Sequence, residues 1–185
     1  MLAVDNINGL TVHNRLASIA ALALSPAVHA YIRHQRNRLR PYARPLQCEE
    51  KTALRMYFPA NVLDRTAVVI ADPLPIPDPP LALIARRMGF QYPRPSTVEA
   101  ITFDNVITCR TLLNPPVLFH ELVHTVQYQH LGLQGFARRY TQGFLETGDY
   151  YRIPLERCAF HLQLRYETEP EPFDAETEIL RDLRE

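Results

Sequence analysis

Two histidines with a glutamate between them stand in the stretch L-F-H-E-L-V-H-T-V-Q-Y, residues 118–128. His120 and His124 are four positions apart, so an α-helix would place them on the same face, one turn from each other. Leu118 and Leu122 give such a helix an apolar side that needs a core to bury it. The stretch therefore predicts a packed helix that directs two imidazoles toward one point.

The segment before this helix has the pattern of a strand. Residues 100–109 read A-I-T-F-D-N-V-I-T-C, with apolar side chains that alternate. Asp104 and Asn105 tolerate left-handed backbone angles, which favours a tight hairpin in the middle of the segment. The helix itself should begin near the Pro-Pro pair at 115–116, since proline is accepted in a first turn, and end at Gly132.

Shorter patterns predict the remaining elements. Helices are predicted at 26–39, 47–58, 81–88, 136–145 and 154–166, a buried strand at 66–71, and a stiff proline-rich connector at 72–80. A chain of 185 residues, 46% of them hydrophobic, fits one domain with a real core. We expect an α+β fold, compact and mainly helical, with a small sheet or hairpin before the histidine helix. Within it we distinguish an N-terminal helical segment at 1–44, a core at 45–166 and an acidic C-terminal tail at 167–185.

Charge is balanced over the whole chain but not along it. The 20 basic and 20 acidic residues cancel, while arginines concentrate between Arg33 and Arg44 and acids from Glu167 onward. A basic run of this kind is typical of a solvated helix face, so we expect no nucleic-acid partner. Nucleic-acid binding is the alternative, and it would show as salt-sensitive binding that depends on these arginines.

Cysteine usage and hydropathy bear on location. Three cysteines with no C-x-x-C pair argue against a disulfide framework, so we expect a cytoplasmic location. No run of eighteen apolar residues exists, and no membrane span is expected. Residues 16–24 resemble a signal-peptide core, but Arg15 is the only arginine or lysine before them. Export, with cleavage near Ala30, is the alternative.

The two histidines and the glutamate form the H-E-x-x-H motif of zinc hydrolases. His120 and His124 would bind the metal, whereas Glu121 would reach a water molecule on the metal and remove its proton as general base. A catalytic zinc site uses three protein ligands, so two histidines do not complete it. We therefore expect one Zn²⁺ per chain and a third ligand from elsewhere in the sequence.

Four residues are candidates for the third ligand. His130 has the spacing of the third metzincin histidine, but Gln127 stands where those enzymes have the glycine that breaks the helix, so we reject His130. Glu146 and Asp149 flank a turn, where acids commonly serve the backbone. Glu156 lies in the first turn of a separate helix with a buried side. We predict Glu156 as the ligand, with stabilisation of the helix dipole as its alternative role.

Four blocks of the sequence together resemble a known family. The blocks I-T-F-D-N-V-I, L-F-H-E-L-V-H-T-V-Q-Y, F-A-R-R-Y and Y-x-x-I-P-L-E-R-C-A-F look like those of the short zincin-like domains of bacteria, which are minimal gluzincin-type metallopeptidases. The resemblance spans the predicted core and implies a zincin-like fold and zinc-dependent hydrolysis of peptide bonds. It implies His120, His124 and Glu156 as ligands and Glu121 as general base. Longer gluzincins often have an aspartate where this chain has Phe160, so support for the ligand histidines must come from other side chains.

The resemblance also leaves a second function open. Some domains of this family stand beside toxin or contractile-injection modules, so the alternative is a binding or assembly module with little or no turnover. An active enzyme would take a peptide or protein substrate, and the strand at 101–107 could bind it by edge pairing. Tyr150 and Tyr151 are candidate oxyanion donors, and packing is the alternative role for both.

Overall fold

The computed structural model describes residues 2–75, 91, 95–169 and 171–184, and in the first helix it describes side chains from Leu16 onward. The described helices are α1 (Leu2–Leu39), α2 (Cys48–Leu54), α3 (Ala60–Arg65), α4 (Pro115–Thr147), α5 (Pro154–Thr168) and α6 (Ala175–Asp182). The described strands are β1 (Arg44–Pro45), β2 (Ala67–Ile70), β3 (Ala100–Phe103) and β4 (Val106–Cys109). Short 3₁₀ turns lie at Arg40–Tyr42, Pro95–Thr97 and Tyr150–Arg152.

The strands form a mixed sheet in the order β1-β2-β4-β3. β2 and β4 run parallel, whereas β1 and β3 are antiparallel to their neighbours. β3 and β4 are the predicted hairpin, and Asp104 at its turn has a left-handed φ of 61°. Within the part of the chain that the structure describes, β3 is an edge strand, and it packs against α4. The small sheet among many helices confirms the α+β class.

The first helix starts earlier than predicted. We expected it to begin at Pro26, but α1 spans Leu2–Leu39 with Pro26 inside it. Ala17, Ala21 and Ile32 are buried along one side of α1, which packs against α4. Pro26 is exposed, so the helix loses one backbone hydrogen bond there without losing its packed face.

The same helix is a weak candidate for a membrane span. Leu16–Tyr42 is long and apolar enough by length and composition, and 22% of its apolar window is buried. A core helix and an N-terminal signal sequence pass the same test. Leu16, Ile19 and Leu22 are exposed on it. We expected no span because the sequence has no unbroken run of eighteen apolar residues, which is a stricter requirement. The cytoplasmic location stays a prediction.

α4 is the central helix of the fold. Phe119 and Leu122 on its first half are completely buried in a cluster with residues of β4, α5 and α6. Tyr128 and Phe136 belong to a second cluster with residues of α1 and β3. At Gly132 the backbone leaves the helical range, with φ 66° and ψ 168°. We predicted a helix end there, and the helix predicted at 136–145 is the second half of α4.

The acidic C-terminal segment is partly helical. Asp174 caps α6 through a hydrogen bond from the backbone N–H of Thr177, and Ala175 and Ile179 are completely buried. The helix predicted at 154–166 is α5, but it is not the last helix, because α6 follows it.

The remaining predictions have mixed outcomes. The strand predicted at 66–71 is β2, while the helix predicted at 47–58 is shorter and ends as α2 at Leu54. The three cysteines are free, with Cys109 and Cys158 buried. The helix predicted at 81–88 and residues 76–80 of the connector lie outside the described residues.

Candidate metal centre

The first half of α4 carries the H-E-x-x-H motif into the protein interior. Asn114 caps the helix, since its side-chain oxygen accepts a hydrogen bond from the backbone N–H of Val117 at 2.9 Å. His120, Glu121 and His124 are each no more than 6% exposed. Because buried polar groups cost free energy when unpaired, these side chains need hydrogen-bonding or charged partners inside the protein.

α5 brings Glu156 to the same place. Its first turn follows the completely buried Ile153 and begins with Pro154, and the Glu156 side chain is buried. A close approach of α4 and α5 makes this possible. A Cβ at Gly143 of α4 would lie 2.6 Å from Cδ of Pro154, so a larger residue there would force the two helices to shift.

Three donor atoms converge at this point. The Nε2 atoms of His120 and His124 are 3.1 Å apart, and they lie 3.5 Å and 3.3 Å from Oε2 of Glu156. Tetrahedral zinc with ligands at ~2.0–2.1 Å separates neighbouring donors by about 3.3 Å. Oε2 of Glu156 is buried and has no hydrogen-bond donor among the described residues. The donor set therefore fits a metal ion, and these three residues can hold one.

In the metal-free protein, the charges of the three donor residues shift the pKa values of His124 and Glu156. Burial alone would lower the pKa of His124, but the Glu156 carboxylate outweighs it and raises this pKa to about 9. Burial would raise the pKa of Glu156, but the facing imidazoles, His124 foremost, hold it well below its ordinary 4.5. Without a metal, a buried carboxylate is thus balanced by a proton on the histidine pair.

Gln127 orients His124. Its Nε2 donates to the backbone carbonyl of Leu155 at 3.0 Å, so its Oε1 faces Nδ1 of His124 at 2.9 Å. An amide oxygen only accepts, so Nδ1 of a neutral His124 carries the hydrogen and Nε2 keeps its lone pair for a metal. Gln127 is completely buried and links the two helices that supply the ligands.

Gln163 has the same role toward His120. Its Nε2 donates to Glu167 at 2.9 Å, and its Oε1 faces Nδ1 of His120 at 3.1 Å. Phe160, in the place of the expected aspartate, packs its ring on His120 with a centroid separation of 4.6 Å. The support that the sequence lacked at this position therefore comes from glutamines.

Glu121 is held from the sheet. The Thr102 hydroxyl on β3 donates to Oε2 of Glu121 at 2.5 Å, and its oxygen lies 3.2 Å from the Glu121 backbone carbonyl. The carboxylate lines the same cavity as His124 and Glu156. The general-base candidate is thus fixed beside the ligand group but is not part of it.

The two tyrosines lie at different depths. Tyr150 lines the cavity beside the ligand group, whereas Tyr151 is 57% exposed. The rings pack on each other at 5.2 Å, and Tyr151 also packs on Phe160 at 5.6 Å. The role of either as an oxyanion donor stays a prediction.

The rejected ligand candidates have other partners. His130 pairs with Glu176 of α6 at 2.8 Å. Glu146 accepts a hydrogen bond from Gln142, and Asp149 caps the following turn through the Tyr151 backbone N–H. These contacts agree with our rejection of His130 and with acids that serve the local structure.

Sequence reasoning did not find Thr102, Gln127 and Gln163. The glutamines carried a usable signal, because Gln127 lies three residues after His124 and Gln163 lies seven after Glu156, which are helical spacings. Thr102 could be found only by knowing that β3 packs against α4. Comparisons with protein-family models, curated proteins and solved structures found no match to this chain.

Proposed function

We propose that the protein is a zinc-dependent metallopeptidase with a zincin-like fold, in which His120, His124 and Glu156 bind one zinc ion. The observation that supports this best is the buried set of three donor atoms, 3.1–3.5 Å apart, beside the carboxylate of Glu121. A structural zinc site normally closes its fourth position with a protein ligand. This group has three ligands and faces a cavity, which favours a catalytic role.

Glu121 is the proton acceptor in this proposal. A zinc ion in the site supplies a Lewis acid that lowers the pKa of a bound water molecule. Thr102 occupies Oε2 of Glu121, which leaves Oε1 to take up the proton and later to pass it to the leaving amine. The glutamines keep both histidines in the orientation that a metal requires.

Among the described residues no strand pairs with the outer edge of β3, and this supports a peptide substrate. In the register of the hairpin, Ile101 and Phe103 face Thr108 and Val106, and Arg110 bonds to the carbonyl of Glu99. Because bonded pairs alternate along an antiparallel ladder, Ala100 and Thr102 direct their backbone groups away from β4. An extended peptide can pair with the backbone of Ala100 and with the N–H of Thr102 next to the general base, whereas the Thr102 carbonyl already accepts a hydrogen bond from Tyr128.

The first test is metal content with a matched histidine pair. Purified protein should contain about one zinc per chain, as catalytic sites of this type do. His124→Ala should lose the zinc, whereas His130→Ala should keep it, because His130 bonds to Glu176 outside the ligand group. Equal zinc in both variants would overturn the proposed ligand set.

The second test separates an enzyme from a binding module. Wild-type protein should cleave members of a broad peptide library, and a chelator should abolish the cleavage. Glu121→Gln should retain zinc but lose hydrolysis, since general-base catalysis contributes about 10²–10⁴-fold. A zinc-loaded wild-type protein that cleaves nothing would instead favour the binding or assembly module.

A further inference from the structure

A cavity of about 140 Å³ lies beside the metal-ligand group. Glu121, His124 and Glu156 form part of its wall. The rest of the wall comes from α1, β3 and the preceding Val98, Tyr128 and the second half of α4, and the turn before α5. Whatever occupies this cavity therefore lies next to the atoms that would carry out hydrolysis.

Most of the cavity wall is apolar. Three separate elements, α1, β3 and α4, contribute large aliphatic and phenyl side chains to it: Val28, Ile32, Ile101, Phe103 and Phe136. The Tyr31 hydroxyl bonds to the backbone carbonyl of Pro75, and the Tyr128 hydroxyl lies 3.4 Å from the carbonyl of Thr102. Because both hydroxyls donate hydrogen bonds to backbone carbonyls, the two tyrosines present mainly their rings to a ligand.

The size of the cavity limits the ligand. Apolar cavities of about 150 Å³ accommodate benzene or xenon. A cavity of 140 Å³ therefore suits a branched aliphatic side chain or one aromatic ring. An acidic side chain would lose its hydration in this wall and would also meet the carboxylates of Glu121 and Glu156.

On the basis of the peptidase function above, we propose that this cavity binds the apolar side chain of the substrate residue next to the scissile bond. The substrates are then peptides with an aliphatic or single-ring residue at that position. Val28 and Ile32 make α1 a determinant of specificity, although α1 lies outside the predicted core and supplies none of the ligands.

The first experiment probes the cavity without the metal. Benzene is titrated into the full-length chain, and methyl NMR signals of Val28, Ile32 and Ile101 are followed. All three should shift in a saturable way, while the methyl signals of the exposed Leu22 should not. Unchanged signals at the three wall residues would overturn the proposal.

The second experiment tests whether the chain of a metal-bound ligand enters the cavity. Acetohydroxamate, 4-methylpentanohydroxamate and the monohydroxamate of succinic acid share one metal-binding group and differ in the attached chain. Affinities for zinc-loaded protein are measured by calorimetry. The branched compound should bind at least about tenfold tighter than acetohydroxamate, since each methylene in an apolar pocket contributes about tenfold or more. The succinic compound should gain nothing over acetohydroxamate.

Filling the cavity provides the matched variants. Val28→Phe should bring the affinity for 4-methylpentanohydroxamate down to about that for acetohydroxamate. Leu22→Phe makes the same type of change at an exposed site of α1 and should keep the preference. Ile101→Phe fills the cavity from β3 and serves as the second variant if Val28→Phe does not fold.

The outcomes separate the two proposals. Equal affinities for all three compounds, or a preference that survives both filling variants, would overturn the pocket but leave the metal site standing. If no hydroxamate binds while benzene still shifts the methyl signals, the zinc function is overturned, and the substrate pocket falls with it.

Discussion

Single side chains decide how the candidate site handles protons. Thr102 donates to one oxygen of Glu121, and Gln127 and Gln163 each present an oxygen to a ligand histidine. None of these three residues belongs to the H-E-x-x-H motif. At this scale the sequence discloses the groups that would contact a metal ion and its water, but not the side chains that orient those groups, because the latter depend on which helix faces pack together.

Thr102→Val tests the contact to the general base. The variant should retain its zinc and lose about tenfold or more in kcat, because Glu121 would no longer be fixed, whereas general-base catalysis as a whole contributes about 10²–10⁴-fold. Thr108→Val is the control, since the Thr108 hydroxyl is buried with no hydrogen-bond partner in the described structure. Equal kcat values in the two variants would contradict a positioning role for Thr102.

Metal uptake should release a proton from the histidine pair. The pKa of about 9 means that His124 is protonated at pH 7 in the metal-free protein, and the metal needs the neutral ring. Zinc binding at pH 7 should therefore release close to one proton and weaken as the pH falls below 9. Calorimetry in two buffers with different ionisation enthalpies measures this directly. Identical heats in the two buffers would contradict it.

Contacts between helices set the geometry of the donors at the scale of elements. The hairpin and the start of α4 were predictable from local chemistry, because turn residues and prolines act within a few positions. The start of α1 was not, because the packing of Ala17, Ala21 and Ile32 on α4 outweighs the proline at 26. The packing of one element on another depends on the fit between their surfaces, and the sequence reveals this fit only indirectly.

Gly143→Ala should force α4 and α5 apart. The added Cβ would meet the Pro154 ring at 2.6 Å, and overpacking of this kind costs about 1–3 kcal/mol. We expect a lower midpoint of thermal unfolding and weaker zinc binding, since Glu156 moves with α5. Gly135→Ala is the control on the same helix, where the new Cβ makes an ordinary contact of 3.4 Å. The control should be neutral or gain up to about 1 kcal/mol.

Gln127→Leu removes the hydrogen bonds between α4 and the start of α5. It leaves Nδ1 of His124 and the Leu155 carbonyl without this partner, and zinc affinity should fall about 10- to 100-fold. Gln129→Leu, a nearby glutamine that accepts a bond from Arg65, should keep its zinc affinity. Matching zinc titrations for the two variants would exclude the orienting role.

The acidic end of the chain belongs to the folded structure at the scale of the whole molecule. Its composition predicted an acidic tail and did not indicate whether it is ordered, yet α6 buries Ala175 and Ile179 against the same cluster that contains Phe119. Two apolar side chains among many acids are a weak sequence signal for a packed helix. They are buried because α6 packs against an apolar surface formed by α4 and α5. The position of Glu156 beside the two histidines was predictable because two histidines alone do not complete a metal site, whereas no chemical requirement of this kind predicts the contact of α6.

Ile179→Ala should destabilise the entire fold. A completely buried isoleucine truncated to alanine costs about 2–5 kcal/mol, which denaturant unfolding measures. Leu164→Ala on α5 is the control, since Leu164 is 58% exposed and its removal should change stability by less than about 0.5 kcal/mol. Equal unfolding midpoints for both variants would show that α6 is not part of the cooperative unit.

The three candidate ligands are shared between two helices, so a bound zinc ion would report on folding. No short fragment of the chain contains both the H-E-x-x-H turn and Glu156, so high-affinity uptake requires α4 and α5 to be packed already. An ion that binds only the native chain raises the ratio of folded to unfolded protein, and the ratio grows with the ion concentration divided by its dissociation constant. Scarcity of zinc would then lower the free energy of unfolding as well as the proposed activity, and a chelator would act on both at once.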